Sequence, residues 1–296
     1  MTILIQNLIF LVGEIHNECI SFNINSVRAR PHQLIHLRDN LYPDVIGLQE
    51  TKVDDPEFPM EEINEIGYHA EHWGGKGHYG VALLSKQKPI FVQKGFPGDA
   101  EDEQKRFIHC TYKIGKKEFD ILNGYFPQGE NREHPTKFPK KVKYYKDLEK
   151  YIRNLDKENI ILMGDFNVAP EDEDIGIGDV NAKRWLREGK CAFLPEEREM
   201  WFKILNMGFT DSWRSQNPGI NDKYTWFDYR SRMFDQDPKR GLRIDQILVS
   251  EPLKSSIKNT GMDYDARAME KPSDHCPIWL ESVSYTHLRA HETMVD

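Results

Sequence analysis

The residues best suited to chemistry stand at the ends of apolar runs. CISFNIN (19–25) carries Asn23 and Asn25, DVIGLQE (44–50) ends in Gln49 and Glu50, NIILMGDFN (159–167) ends in Asp165 and Asn167, and RIDQILVS (243–250) opens with Asp245. A further stretch, KPSDHCPIW (271–279), sets Asp274 beside His275 between prolines. A carboxylate taken out of water costs several kcal/mol unless it is paired or binds a cation. One explanation covers all of these positions: an acidic site that converges on a hard divalent cation. Mg²⁺ suits it, because that ion takes carboxylate and amide oxygens and no thiolates. Glu50 is the leading ligand candidate, with Lys52 as its nearest basic neighbour in the chain.

Neighbours on an extended chain point to opposite faces. Asp274 and His275 therefore do separate jobs. The flanking prolines, each with a fixed φ, hold the loop that presents the imidazole. Asn167, two residues after Asp165, is expected on the same strand face.

The runs that carry these residues are four to eight residues long, rich in Ile, Val, Leu and Phe and bounded by polar residues, as buried strands are. Between some of them lie helical periods. In VKYYKDLEKYIRNLD, Tyr145, Leu148, Ile152 and Leu155 form one stripe, and EEREMWFKILNMG closes on Gly208. Strands interleaved with helices predict α/β layering. The polar stretch 171–191 still holds Ile175, Ile177, Trp185 and Leu186, so an ordered insertion with a short helix is expected there. The sequence shows no internal repeat and no Gly/Ser linker, which points to one domain over 19–282.

The chain has 296 residues, 39% hydrophobic and 30% charged, the composition of an ordinary globular protein. Cys19, Cys110, Cys191 and Cys276 show no metal or disulfide spacing and read as free thiols of a cytoplasmic protein. A net charge of −8 excludes a protein that coats nucleic acid or an anionic membrane over its whole surface. It leaves room for local basic patches. KFPKKVKYYK offers Lys137, Lys140, Lys141, Lys143 and Lys146, and NAKRWLREGK adds Lys183, Arg184, Arg187 and Lys190. Lys137, Lys140, Lys141, Arg184 and Arg187 are the expected phosphate contacts, with a solvated helix face as the plain alternative. Residues 1–18 read as a non-family extension, from a misplaced start or unstructured, with an export signal as the alternative: ILIQNLIFLV is about half the roughly 20 residues of a membrane span and lacks the basic n-region and small-residue cleavage site of a signal peptide. Residues 283–296 read as a non-native, adaptor-derived tail.

SFNINSVRAR, DVIGLQETK, GHYGVALLSK, LNGYFPQGE, MGDFNVAP, DIGIGDVNAKRW, FLPEERE, TWFDYRS, RGLRIDQILVS and MEKPSDHCPIW occur in this order. This series resembles the exonuclease III family of abasic-site endonucleases and 3′ exonucleases, within the wider endonuclease/exonuclease/phosphatase fold. The resemblance runs from about Cys19 to Leu280. It implies a four-layered α/β sandwich, two packed mixed β-sheets flanked by helices. It also implies a monomeric, Mg²⁺-dependent DNA-repair nuclease, with Mn²⁺ as a substitute, acting on double-stranded DNA at abasic sites and 3′ ends and not at membranes.

By the same resemblance Glu50 holds the metal with Asn23 near it, and Asp165 with Asn167 orients and deprotonates the attacking water. His275, held by Asp245, donates to a phosphate oxygen, and Tyr125 supplies a hydroxyl. Asp165, Asn167 and His275 also count as metal-side candidates. Asp274 is either a further ligand or a hydrogen-bonding strut. Trp226 and Phe227, with Leu242, would line a small pocket for a sugar that lacks its base. Ser26 stands where these enzymes often have glycine, and Cys276 where alanine is common. Two other readings compete: a phosphodiesterase for small phosphorylated substrates, and an inert DNA-binding relative.

Overall fold

Buried β-branched and aliphatic runs pair into two sheets in the computed structural model, which describes residues 14–75, 77–100 and 103–285. The first sheet has the order β11 (Ile257–Met262), β12 (Ile278–Tyr285), β1 (Glu14–Asn23), β2 (Val45–Gln49), β4 (Val81–Ser85), β3 (His69–Trp73). The second runs β5 (Phe91–Lys94), β6 (Phe107–Ile114), β7 (Lys117–Tyr125), β8 (Ile160–Asp165), β10 (Asp245–Ser250), β9 (Phe209–Asp211). Both are mixed: β1 lies parallel to β2 and β7 parallel to β8, and every other pairing is antiparallel.

The sheets face each other across a core that includes Val45, Leu83, Ile108, Ile121, Ile161, Met163, Ile247 and Leu280. On the far side of the first sheet, helices α1 (Pro31–Leu41) and α2 (Met60–Glu65) bury Leu34, Leu37 and Ile63 against Phe22 and Leu48. On the far side of the second, α3 (Lys137–Arg153) and α5 (Pro195–Leu205) pack Tyr145, Leu148, Ile152 and Trp201 over Leu122 and Leu162. The four layers match the expected sandwich. The stretch 171–191 is ordered as anticipated, with a turn at Asp172–Asp174 and helix α4 (Asp179–Arg187).

The ladder crosses both domain boundaries expected from the sequence. β1 pairs with β12 from Glu14↔Tyr285 to Ser21↔Ile278, so strand structure reaches beyond Cys19 and Ser282. The rest of the expected extension and tail, 1–13 and 286–296, lies outside the described residues. Among the described residues no helix is long and apolar enough to cross a membrane. All four cysteines are free and buried.

The architecture brings the strand ends together. Asn23 closes β1, Glu50 follows β2, Asp165 closes β8, and the antiparallel β10 opens beside it with Asp245 directly opposite. Gly164 permits the approach, because its φ is +151° and a Cβ there would sit 1.9 Å from the Gly124 carbonyl oxygen of β7. Gln49, grouped with the site by sequence, instead links the sheets: its amide donates to Asn123 Oδ1 at 2.7 Å and Ser21 Oγ at 3.1 Å.

Candidate active site

Glu50, Asp165 and His275 converge, one donor atom from each lying within 4.8 Å of the others. Asn23 stands between the carboxylates and donates from Nδ2 to Glu50 Oε1 (2.9 Å) and Asp165 Oδ2 (3.0 Å). Asn167 adds its backbone N–H to Asp165 Oδ1 at 3.0 Å and its Nδ2 to Asp165 Oδ2 at 3.2 Å. Asn167 lies past the strand end at φ +52°, so a turn and not a shared strand face makes this contact. Both amides present nitrogen to the carboxylates. Asn23 and Asn167 therefore hold Asp165 as donors.

His275 pairs with Asp245, as the resemblance implied. Its Nδ1 lies 2.9 and 3.1 Å from the Asp245 oxygens, and its Nε2 lies 3.9 Å from Asp165 Oδ2. Thr225 Oγ1 accepts from the Asp245 and Ile244 N–H groups. Ser273 Oγ donates to the Asn23 carbonyl and accepts from the His275 N–H, which pins the loop to β1. Sequence reasoning passed over Thr225 and Ser273. The hydroxyl beside a charged motif, as in TWFDYRS and PSDH, was the available signal.

Burial opposes charge on His275, but Asp245 and Asp165 reverse it and push the imidazole up to about 10. The ring is therefore a cation at neutral pH. Burial pushes the Asp165 carboxyl up to about 7, with Asp245 and Glu50 adding to the rise and His275 opposing it. Glu50 is lowered in spite of its burial, because Lys52 and Asn23 favour its charged form. Lys52 Nζ sits 2.7 Å from Glu50 Oε2 and donates to Asn25 Oδ1 at 2.6 Å. The carboxylates outnumber their cations here, and the hard oxygen donors of Glu50 and Asp165 fit a divalent ion.

Asp274 is a strut outside that group. It accepts from Asn25 Nδ2 at 2.9 Å and from Trp226 Nε1 at 3.1 Å. Trp226 is half-buried, whereas Phe227 (0% exposed) and Leu242 (1%) are sealed in the core with Phe234 and Cys276. The expected pocket lined by all three is thus corrected: only Trp226 offers surface, and the other two back it. Lys141 is a second correction. It is fully buried, ion-paired with Glu197 and donating to the Asn167 carbonyl at 2.9 Å, so it braces the site and touches no nucleic acid. Lys137, Lys140, Arg184 and Arg187 are exposed, and Lys137 pairs with Glu130.

Strain gathers at the same place. Asn25, Glu50 and Asn167 all have positive φ, near +50°, in the small left-handed region. Ser26, at φ +94° and ψ +106°, occupies backbone space natural only to glycine. Ser26→Gly is expected to stabilise the fold by about 1 kcal/mol, and a urea titration with no gain would show that the turn is unstrained.

A model of the endonuclease/exonuclease/phosphatase family matches residues 20–275. The chain belongs to this family. Within it, the chain is 56% identical over 264 residues to exodeoxyribonuclease III of Haemophilus influenzae, covering 88% of this chain and 98% of that one. Among solved family structures, the 3′ phosphatase NExo from Neisseria, bound to a product DNA hairpin, superposes with a TM-score of 0.82 at 34% identity. That match covers 90% of this chain and 99% of the other. An AP endonuclease from Archaeoglobus fulgidus gives 0.80 at 32% identity, over 91% and 99%. The family assignment makes the enzyme a phosphodiester hydrolase, and the sandwich agrees with the fold of these neighbours.

Proposed function

We propose that this enzyme is a Mg²⁺-dependent DNA-repair nuclease that hydrolyses the phosphodiester 5′ to abasic sites in duplex DNA and trims 3′ ends. The observation that carries the reading is the convergence of Glu50, Asp165 and the Asp245-held His275 at the paired strand ends, beside the half-buried Trp226.

Asp165, deprotonated and held by Asn23 and Asn167, takes the proton of the attacking water. His275, charged and held by Asp245, donates from Nε2 to a phosphate oxygen as negative charge develops there. The Tyr125 hydroxyl, set against Glu50, adds a second donor to the phosphate. Glu50 is the carboxylate that would hold the ion, with Asp165 and His275 bordering it. Bound Mg²⁺, or Mn²⁺ in its place, supplies positive charge to the phosphoryl oxygens and to the departing 3′ oxygen.

Trp226, backed by Phe227 and Leu242 and anchored through Nε1 to Asp274, forms an apolar wall against which a base-free sugar fits and a normal nucleotide does not. Lys137, Lys140, Arg184 and Arg187 supply phosphate contacts that carry no sequence preference.

A duplex with one tetrahydrofuran abasic analogue is the test. Incision at the analogue with Mg²⁺, none with a chelator, and slower incision by Trp226→Ala are the expected results. An intact duplex under all conditions, or cleavage indifferent to the lesion, would remove the reading.

A further inference from the structure

Arg106 stands apart from every residue assigned so far, buried at 8% exposure just before β6. Among the described residues no carboxylate pairs with it. Its guanidinium carbon instead lies 4.3 Å from the ring centroid of Tyr79 and 4.3 Å from that of Tyr125, so the cation is held between two aromatic rings. Its Nε donates to Gln104 Oε1 at 2.6 Å and its Nη1 to the Tyr125 carbonyl at 3.1 Å. Gln104 in turn donates to the Tyr79 hydroxyl at 3.1 Å. The backbone closes the unit: the Tyr125 N–H donates to the Arg106 carbonyl at 2.8 Å, and the Tyr144 hydroxyl donates to that same oxygen at 3.0 Å.

From this geometry we infer that Arg106 is a positioning residue for Tyr125, fixing the ring so that its hydroxyl faces Glu50 and the scissile phosphate, with Tyr79 as the second jaw of the clamp. The inference rests on the phosphodiesterase reading above. Tyr125 is the last residue of β7, opposite Asp165 in the ladder. A planar guanidinium restrains its ring by stacking while it hydrogen-bonds in its own plane. Lysine cannot reproduce both functions, since its ammonium is a compact charge without a stacking face.

The test is a double-mutant cycle on the abasic-analogue duplex, with kcat and KM measured separately. Arg106→Met is expected to lower kcat by 10- to 100-fold with KM changed less than 3-fold, and Arg106→Lys to recover only part of the loss. In a Tyr125→Phe background, Arg106→Met should cost less than 2-fold more. An equal loss in both backgrounds would overturn the inference, because Arg106 would then act independently of the hydroxyl. A loss carried by KM alone would also overturn it and make Arg106 a DNA contact. Should Arg106→Met fail to fold, Tyr79→Leu removes one jaw only and must show the same kcat loss and the same dependence on Tyr125. Wild-type enzyme that leaves the duplex intact refutes the function proposed above, whereas the clamp stands or falls on the ratio between backgrounds.

Discussion

Asp165→Asn is expected to lower kcat on an abasic duplex by at least ~100-fold, the scale of a lost general base, while the protein melts no lower than wild type. The second half follows from the sign of the proton linkage. Burial and the Asp245 and Glu50 carboxylates raise the folded-state carboxyl to about 7, well above its value in an unfolded chain. Stability contributed by the proton on Asp165 is thus complete at low pH and is lost as pH rises through about 7. The amide never ionises, so the variant should be spared that loss, most visibly at pH 8. A divalent cation reverses the balance, since binding to the folded state alone raises its stability. Saturating Mg²⁺ should raise the melting temperature of wild type and move the variant's far less. A variant that melts well below wild type at pH 8, or that keeps near wild-type turnover, would show that Asp165 is a structural acid.

Asp174→Asn should be the most damaging substitution for stability. Asp174 is fully buried and accepts from Arg243 Nε at 2.6 Å and Nη2 at 3.1 Å, and from Arg214. Arg243, itself buried, also lies 2.8 Å from Asp211 Oδ2 through Nη1. Burial would raise the Asp174 carboxyl, but Arg243 overrides it and holds the group below the usual carboxylate range. Removing one carboxylate from such a network leaves two guanidinium groups with less negative charge to offset them and costs about 3–5 kcal/mol. For a chain of this size that corresponds to a fall in melting temperature of roughly 10 °C. The advantage of wild type over the variant should be full at neutral pH and vanish as acid protonates Asp174, because a depressed carboxyl stabilises only while ionised. Equal melting temperatures at pH 7 would show the network to be neutral. Because Arg243 lies two residues before Asp245, the same change is expected to disturb the histidine pair.

The site was largely legible because charge at the end of an apolar run is costly and has few explanations. Glu50, Asp165, Asp245 and His275 were found that way. The misreadings share a physical cause. Lys141 was placed among solvated lysines although it lies four residues before Tyr145 and seven before Leu148, on the buried stripe itself. Arg243 sits in a motif that resemblance ties to the pocket, yet its side chain lies in an ion-pair network. Phe227 and Leu242 have the same type whether they line a cavity or fill a core. Arg106 left no trace, because its value comes from a register between β6 and β7 and from Tyr79 across a loop. Of the fold, β1, β2, β7, β8 and β10 could be read directly from their apolar runs. The edge strands β3, β5 and β9 could not, since HAEHW is polar and only partly buried, FVQK spans only four residues and FTD three.

The return of β12 to lie beside β1 has a consequence for biosynthesis. Glu50, Tyr125, Asp165 and Asp245 all leave the ribosome before His275, which arrives with the loop that leads into β12. Until that strand docks, β1 has an open flank, Ser273 cannot bond the Asn23 carbonyl, and no imidazole faces the acids. A nascent chain therefore carries the acids before the imidazole that is to face them, and the site is assembled only when the last strand docks.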